Sequence, residues 1–166
     1  MKKIVVYQSG TGFTQKYANW IAEELGCEAK EYKKIKPEEL ASFDMVIYGG
    51  WIFAGMVFGY DKIKLLNLQN LIVFGVGMSV PSEEVLSKIA DQNGISKDRL
   101  FYFEGGYNPA KLGFFKKLIM KMIKKTIEQK EEKTPEDIHM LESFKGVDNT
   151  DKEAIKPLLE LASKIG

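Results

Sequence analysis

Apolar residues follow two rhythms along this chain. Unbroken runs such as Ile4-Val5-Val6-Tyr7, Met45-Val46-Ile47-Tyr48 and Leu71-Ile72-Val73-Phe74 alternate with stretches where apolar positions recur every three or four residues. A short continuous run marks a strand buried on both faces, and the helical rhythm between runs supplies the layers that bury it. The pattern predicts an α/β fold, an open parallel sheet covered by helices on both sides. Five strands are expected: Lys3 to Gln8, Cys27 to Tyr32, Phe43 to Tyr48, Leu71 to Val76 and Leu100 to Phe103. The last three run into glycines, at Gly49-Gly50, Gly77 and Gly105-Gly106.

Punctuation residues place the helices. Tyr17, Ala18, Ile21, Ala22 and Leu25 share one face of a helix that begins near Thr14 or Gln15 and stops at Gly26. Pro37-Glu38-Glu39-Leu40 reads as the first turn of a small helix, with proline early and acids at the positive end. A helix of about Ser82 to Gln92 has a capping-box start at Ser82 and a stop at Asn93-Gly94. The last helix starts near Thr150-Asp151-Lys152-Glu153. Glu128 to Lys133 is charge-dense and reads as a solvated connection, continuing through Thr134-Pro135-Glu136-Asp137 to a surface His139.

The turn after the first strand carries the clearest chemistry. Ser9-Gly10-Thr11-Gly12-Phe13-Thr14 joins a strand to a helix start, the usual construction of a phosphate cradle. Two glycines allow a tight turn and close backbone approach, and three hydroxyls can donate to phosphate oxygens. The turn holds no Lys or Arg, so it is not a Walker loop, and Gln15 stands where a dinucleotide fingerprint needs its third glycine. A terminal monophosphate, held by amides and hydroxyls, fits what remains.

Parallel sheets bind ligands beyond the carboxyl ends of their strands, where the winding reverses. In a five-strand order of 2-1-3-4-5 that point lies between strands one and three, which makes the loops after Gln8 and Tyr48 neighbours. The second of these, Gly49-Gly50-Trp51-Ile52-Phe53-Ala54-Gly55-Met56-Val57-Phe58-Gly59-Tyr60, sets aromatics among glycines with almost no polar side chain. Left in water it would form a large apolar patch, so a flat ligand is expected to cover it. Gly77-Met78-Ser79-Val80-Pro81 converges on the same place and is likewise short of charge.

These residues resemble the flavodoxin family: Ser-x-Thr-Gly-x-Thr after the first strand, a glycine and aromatic loop after the third, and Phe74-Gly75-Val76-Gly77 at the fourth. The resemblance covers Met1 to about Gly106. It implies a flavodoxin-like three-layer sandwich with a five-stranded parallel sheet in the order 2-1-3-4-5, and FMN as cofactor. Ser9, Gly10, Thr11, Gly12, Phe13 and Thr14 would hold the phosphate. Trp51 and Phe53 would touch the ring, and Gly50, Ile52, Ala54, Gly55, Gly77 and Met78 would complete its site. The phosphate and an apolar ring pocket would disfavour the anionic reduced flavin and favour one-electron or low-potential behaviour. The redox chemistry would be the cofactor's own, and no protein acid or base is evident in the sequence.

Beyond Gly105 the chain departs from a plain flavodoxin. Phe114, Phe115, Leu118, Ile119, Met122 and Ile123 recur at helical spacing, with Lys116, Lys117, Lys121, Lys124 and Lys125 on the other face, in a segment of about 109–130. Two readings stand: a surface helix packed on the fifth strand, or a docking helix for an anionic membrane surface or an acidic partner through Phe114 to Lys125. Gly106-Tyr107-Asn108-Pro109 followed by Phe114-Phe115-Lys116-Lys117-Leu118-Ile119-Met120-Lys121-Met122 resembles the tail of the menaquinone-dependent protoporphyrinogen oxidases of the flavodoxin type. That resemblance implies an FMN oxidoreductase taking electrons from a tetrapyrrole-like substrate to a quinone. The loop Trp51 to Tyr60 departs from it, being almost wholly apolar where those enzymes are basic.

Composition narrows the function classes. The 166 residues fit one domain, 1–166, which buries roughly two-thirds of its unfolded surface. A net charge of +1 and a single arginine, Arg99, argue against nucleic acid as a partner. The lone Cys27 excludes an internal disulfide and reads as buried filler at a strand start. With no secretory leader in the sequence, a cytoplasmic protein is expected, peripheral at the inner face of the cell membrane if the basic helix docks there. No metal site is expected, since the Glu-rich runs lack His or Cys at ligand spacing. Three functions remain: a flavin oxidoreductase with a quinone as redox partner, a flavodoxin-type electron carrier between protein redox partners, and a flavin-free interaction module on the same fold. Carriers of this kind are usually strongly acidic, and this chain is not.

Overall fold

The computed structural model describes residues 1–165. Five strands pair in parallel: β1 (Lys3–Gln8), β2 (Glu28–Glu31), β3 (Met45–Phe53), β5 (Leu71–Gly77) and β6 (Leu100–Glu104). Their order is β2-β1-β3-β5-β6, the expected 2-1-3-4-5 winding, with a short β4 (Met56–Val57) folded back antiparallel on the end of β3.

Side chains alternate across the strands and so feed two cores. Val5, Tyr7, Met45, Ile47, Ile72, Phe74 and Phe103 pack under α1 (Phe13–Leu25) and α6 (Lys156–Ile165). Ile4, Val6, Val46, Tyr48, Val73 and Leu100 pack under α2 (Tyr60–Lys64), α3 (Glu83–Asn93) and the 3-10 turn Pro37–Ser42. Burial on both faces is why these runs are continuously apolar.

Several expectations need correction. The glycines at 49 and 50 do not end the third strand but lie buried within it. A Cβ on Gly49 would sit 2.0 Å from Cζ of Phe74, so the neighbouring strand's ring takes the space. The aromatic loop is therefore a hairpin. Its tip is Ala54-Gly55, with φ of 49° and 81°, the left-handed pair of a type I′ turn. Asn93, expected only as a helix stop, is buried and pins this hairpin by donating to Gly55 O at 2.8 Å and accepting from Val57 N–H at 3.0 Å. Helix α1 starts at Phe13, one residue earlier than expected. Ser82 Oγ accepts from Val85 N–H, but Val85 has nothing to return, so the capping box is half a box. A 3-10 turn, Lys152–Ile155, precedes the last helix. Cys27 lies half-buried before β2, and burial pushes its thiol up.

The stretch expected as a solvated connection contains α5 (Pro135–Ser143). Thr134 and Asp137 form a complete capping box there: Thr134 Oγ1 accepts from Asp137 N–H at 3.1 Å, and Asp137 Oδ2 from Thr134 N–H at 3.0 Å. Short strands β7 (Gly106–Tyr107) and β8 (Val147–Asp148) then pair antiparallel and return the chain to α6.

Helix α4 (Phe114–Glu128) is not the cover of the fifth strand. Phe103 and Leu100 of β6 are buried by the two cores already described, while Phe114 and Phe115 of α4 are each 77 % exposed. Only Ile127 of α4 is fully buried, and the helix leans on α5. No helix among the described residues is long and apolar enough to cross a membrane.

Candidate functional site

The winding reverses between β1 and β3, where Gln8 lies opposite Gly50. The turn after β1 and the end of β3 consequently share one edge of the sheet. In the turn, Gly12 takes φ +104° and caps α1, a conformation that disfavours any residue with a Cβ. Ser9 Oγ accepts the Gly12 N–H at 3.0 Å, which uses one amide locally and leaves the Ser9 proton free to donate. The first turn of α1 has no acidic residue, so the amides of Phe13, Thr14 and Gln15 present an unopposed positive end.

Positive charge reaches this turn from the far end of the chain. A Cβ on Gly10 would lie 3.3 Å from Lys116 Nζ, and one on Gly12 would lie 3.4 Å from Lys111 Nζ. Two ammonium groups thus stand over a turn that has no basic residue of its own. No local sequence signal marks either lysine, because the approach depends on where the 3-10 turn Pro109–Lys111 and α4 are placed.

Beside the turn opens an apolar slot of about 240 Å³. Ile52, Phe53, Val76 and Met78 wall it from the sheet, and Leu112, Ile119 and Met120 from the C-terminal segment. Its volume falls below the usual range for an enclosed ligand, which suits a flat group lying partly in and partly out. Trp51 separates it from a second cleft of about 380 Å³ lined by Gln8, Ser9, Tyr32, Lys33 and Lys62. The Trp51 ring stacks on Phe58 at 4.5 Å between centroids, and Lys116 Nζ stands 4.4 Å from its centroid.

A hydrogen-bond chain fixes the hairpin that carries Trp51. Gln8 Nε2 donates to Tyr48 Oη at 3.0 Å, and Tyr48 Oη donates to Phe58 O at 2.7 Å. Burial pushes the Tyr48 phenol well above its ordinary value, so it stays a donor through the neutral range. On the opposite side, Tyr102 Oη donates to Ser79 O at 2.9 Å and holds the loop that follows Gly77.

Of the residues expected at the site, Gly10, Thr11, Phe13, Thr14, Trp51, Ile52, Phe53, Gly77 and Met78 line the slot, and Ser9 lines the second cleft. Gly12 caps the helix beside them. Gly50, Ala54 and Gly55 do not line either cleft. A Cβ on Gly50 would meet Phe58 O at 2.6 Å, which places that glycine against the returning hairpin, and Ala54-Gly55 form the hairpin tip held by Asn93. His139 is not a free surface residue: it lies on α5, half-buried, with Nε2 2.8 Å from Glu104 Oε1. Asn149 Nδ2 donates to the same oxygen at 2.6 Å. Among the described residues, no carboxylate or histidine lines the slot.

These features define a doubly wound α/β protein with an anion-ready turn and an aromatic slot at its switch point. The sequence model of the family described as "Flavodoxin domain" matches residues 4–134, and the chain belongs to that family. No protein of curated function matches it. Among solved structures it is similar to a flavodoxin from the domain Archaea, at 16% identity over 99% of both chains with a TM-score of 0.49. It is also similar to the two-electron reduced flavodoxin of Megasphaera elsdenii, at 15% identity over 85% of this chain and 96% of that one, TM-score 0.44. Rubredoxin oxygen:oxidoreductase from Desulfovibrio gigas matches at 23% identity over 66% of this chain and 32% of that one, TM-score 0.43.

Proposed function

We propose that this protein binds FMN at the switch point and passes electrons through it. The carrying observation is the meeting of a turn built for an anion with an apolar slot built for a flat ring. Thr11 and Thr14 hydroxyls, the first amides of α1, and the Lys111 and Lys116 ammonium groups would hold the phosphate. Phe53, Ile52, Met78 and the edge of Trp51 would contact the ring and exclude water from it. FMN supplies the electron chemistry when bound, and the chain orients it and sets the polarity around it.

The reaction we assign is oxidoreduction of a large apolar, tetrapyrrole-like donor with a quinone as acceptor. What supports it is the mouth of the slot, where Phe53 and Ile119 are 45 % and 40 % exposed and, among the described residues, no carboxylate or histidine stands ready for hydrolytic chemistry. Titration of the purified protein with FMN tests the first step: flavin fluorescence is expected to quench with saturation at one equivalent. Absence of flavin from the preparation, with no response to added FMN, would leave a flavin-free interaction module instead. Reoxidation of the reduced protein by a quinone analogue, compared with reoxidation by a redox protein, separates enzyme from carrier.

A further inference from the structure

Helix α4 has two apolar faces with different fates. Met120, Ile123 and Ile127 turn inward, and Met120 and Ile119 close one side of the slot. The row Phe114, Leu118 and Met122, one helical turn apart, faces outward with Phe115 and is 77, 50 and 63 % exposed along its length. Nothing among the described residues covers that row. A helix that buried it against its own sheet would recover the hydrophobic free energy of several large side chains, so the fold leaves this face open at a cost.

Charge identifies the occupant. Lys117, Lys121, Lys124 and Lys125 follow the flank of the exposed row, and Glu128 is the only acid on the helix, 3.8 Å from Lys124. Phenylalanine, leucine and methionine bordered by lysines are the chemistry of a helix lying in the headgroup plane, with rings and thioethers among acyl chains and ammonium groups at anionic phosphates. The row offers no hydrogen-bonding group for a protein surface to recognise. We infer that α4 docks this protein on anionic lipid through Phe114, Phe115, Leu118 and Met122. Ile119 of α4 and Phe53 line the same slot and are both exposed, so docking of α4 would bring that slot to the bilayer surface, where it could admit a ligand dissolved there. Docking itself does not depend on what fills the slot.

Flotation of the full chain with vesicles tests the inference. Wild type is expected to float with vesicles containing phosphatidylglycerol, to remain behind with pure phosphatidylcholine, and to be released by salt. Replacing Lys117, Lys121 and Lys125 together by Gln removes about fivefold in affinity per lysine, or about a hundredfold in all. Leu118→Gln with Met122→Gln should abolish flotation while leaving the lysines in place. All five residues are exposed, so circular dichroism should be unchanged in both variants. Wild type that fails to float with anionic vesicles would overturn the inference, as would binding that survives both variants. A concentration-dependent dimer in sedimentation, dispersed by Leu118→Gln with Met122→Gln, would assign the face to a second copy instead and overturn it too.

Discussion

Lys116 holds its ammonium 4.4 Å from the centroid of the Trp51 ring, joining α4 to the end of β3 across a large separation in sequence. The same ammonium stands over Gly10 of the turn after β1. One side chain therefore touches both halves of the proposed cofactor site, and the contact to the ring is worth about 0.5–1 kcal/mol where water has access.

A charge test follows from the paired lysines. Lys111→Gln, which touches the turn and not the ring, should weaken FMN about tenfold while leaving riboflavin, which lacks the phosphate, unchanged. Equal losses for both ligands in a fluorescence titration would show that Lys111 shapes the site without meeting a phosphate. Lys116→Gln should weaken both ligands, FMN more.

The hydroxyls make a separate test. Thr11→Val and Thr14→Val keep volume and remove a donor, and each should cost about 1–3 kcal/mol of FMN affinity. Thr14 is buried at the start of α1, so its variant must also be compared with wild type in a urea melt.

Alkaline stability should depend on Tyr17. Its phenol donates to Glu104 O at 2.7 Å and accepts from Asp151 N–H at 3.0 Å, and burial pushes its pKa from near 10 up to about 12. The folded state thus keeps the proton more tightly than the unfolded one. The resulting stabilisation is complete below about pH 10 and is lost as the pH climbs toward 12, to the extent of about 2–3 kcal/mol. Tyr17→Phe should flatten that part of the stability profile in denaturant melts taken across this range. Tyr48 and Tyr102, pushed up by burial as well, add to the same slope in wild type.

Two glycines should differ sharply in their response to the same change. Gly49→Ala drives a methyl into the Phe74 ring and should destabilise by about 3 kcal/mol or more. Gly113→Ala meets nothing within 4 Å and should fall within about 0.5 kcal/mol of wild type. At the hairpin tip, Ala54→Asn places the preferred Asn-Gly pair on a left-handed turn and should add about 0.5 kcal/mol. A loss of stability there would mean that the alanine methyl makes a contact the turn geometry does not reveal.

The sheet was legible because its strands are buried on both faces, so burial writes an uninterrupted apolar run into the sequence. The glycines of β3 resemble a strand end for a physical reason. Glycine ordinarily weakens a strand, and only the approach of Phe74, from a strand more than twenty residues on, explains Gly49. Helix α5 carries a local mark, since Thr134-x-x-Asp137 with proline between is a capping signature, but it stands within a dense run of charge that has the composition of a solvated connection. The pairing of His139 with Glu104, and the arrival of Lys111 and Lys116 at the turn, leave no local mark at all. The turn from Ser9 to Thr14 is contiguous in the sequence, whereas the two lysines that stand over it are not.

The antiparallel pairing of Gly106 with Asp148 and of Tyr107 with Val147 fastens the two ends of the α4–α5 excursion side by side. Asn149 N–H adds a bond to Gly105 O at 2.9 Å. The excursion leaves the sheet and rejoins it at one clasp, and its closure cost grows only slowly with length. Such a segment can lengthen, shorten or be exchanged without disturbing strand order. Cutting 108–146 and joining Tyr107 to Val147 by a tight turn should leave a folded sheet stripped of both α4, with its exposed apolar row, and the two lysines that reach the turn after β1, a natural control in which scaffold and attachment are separated by a single edit.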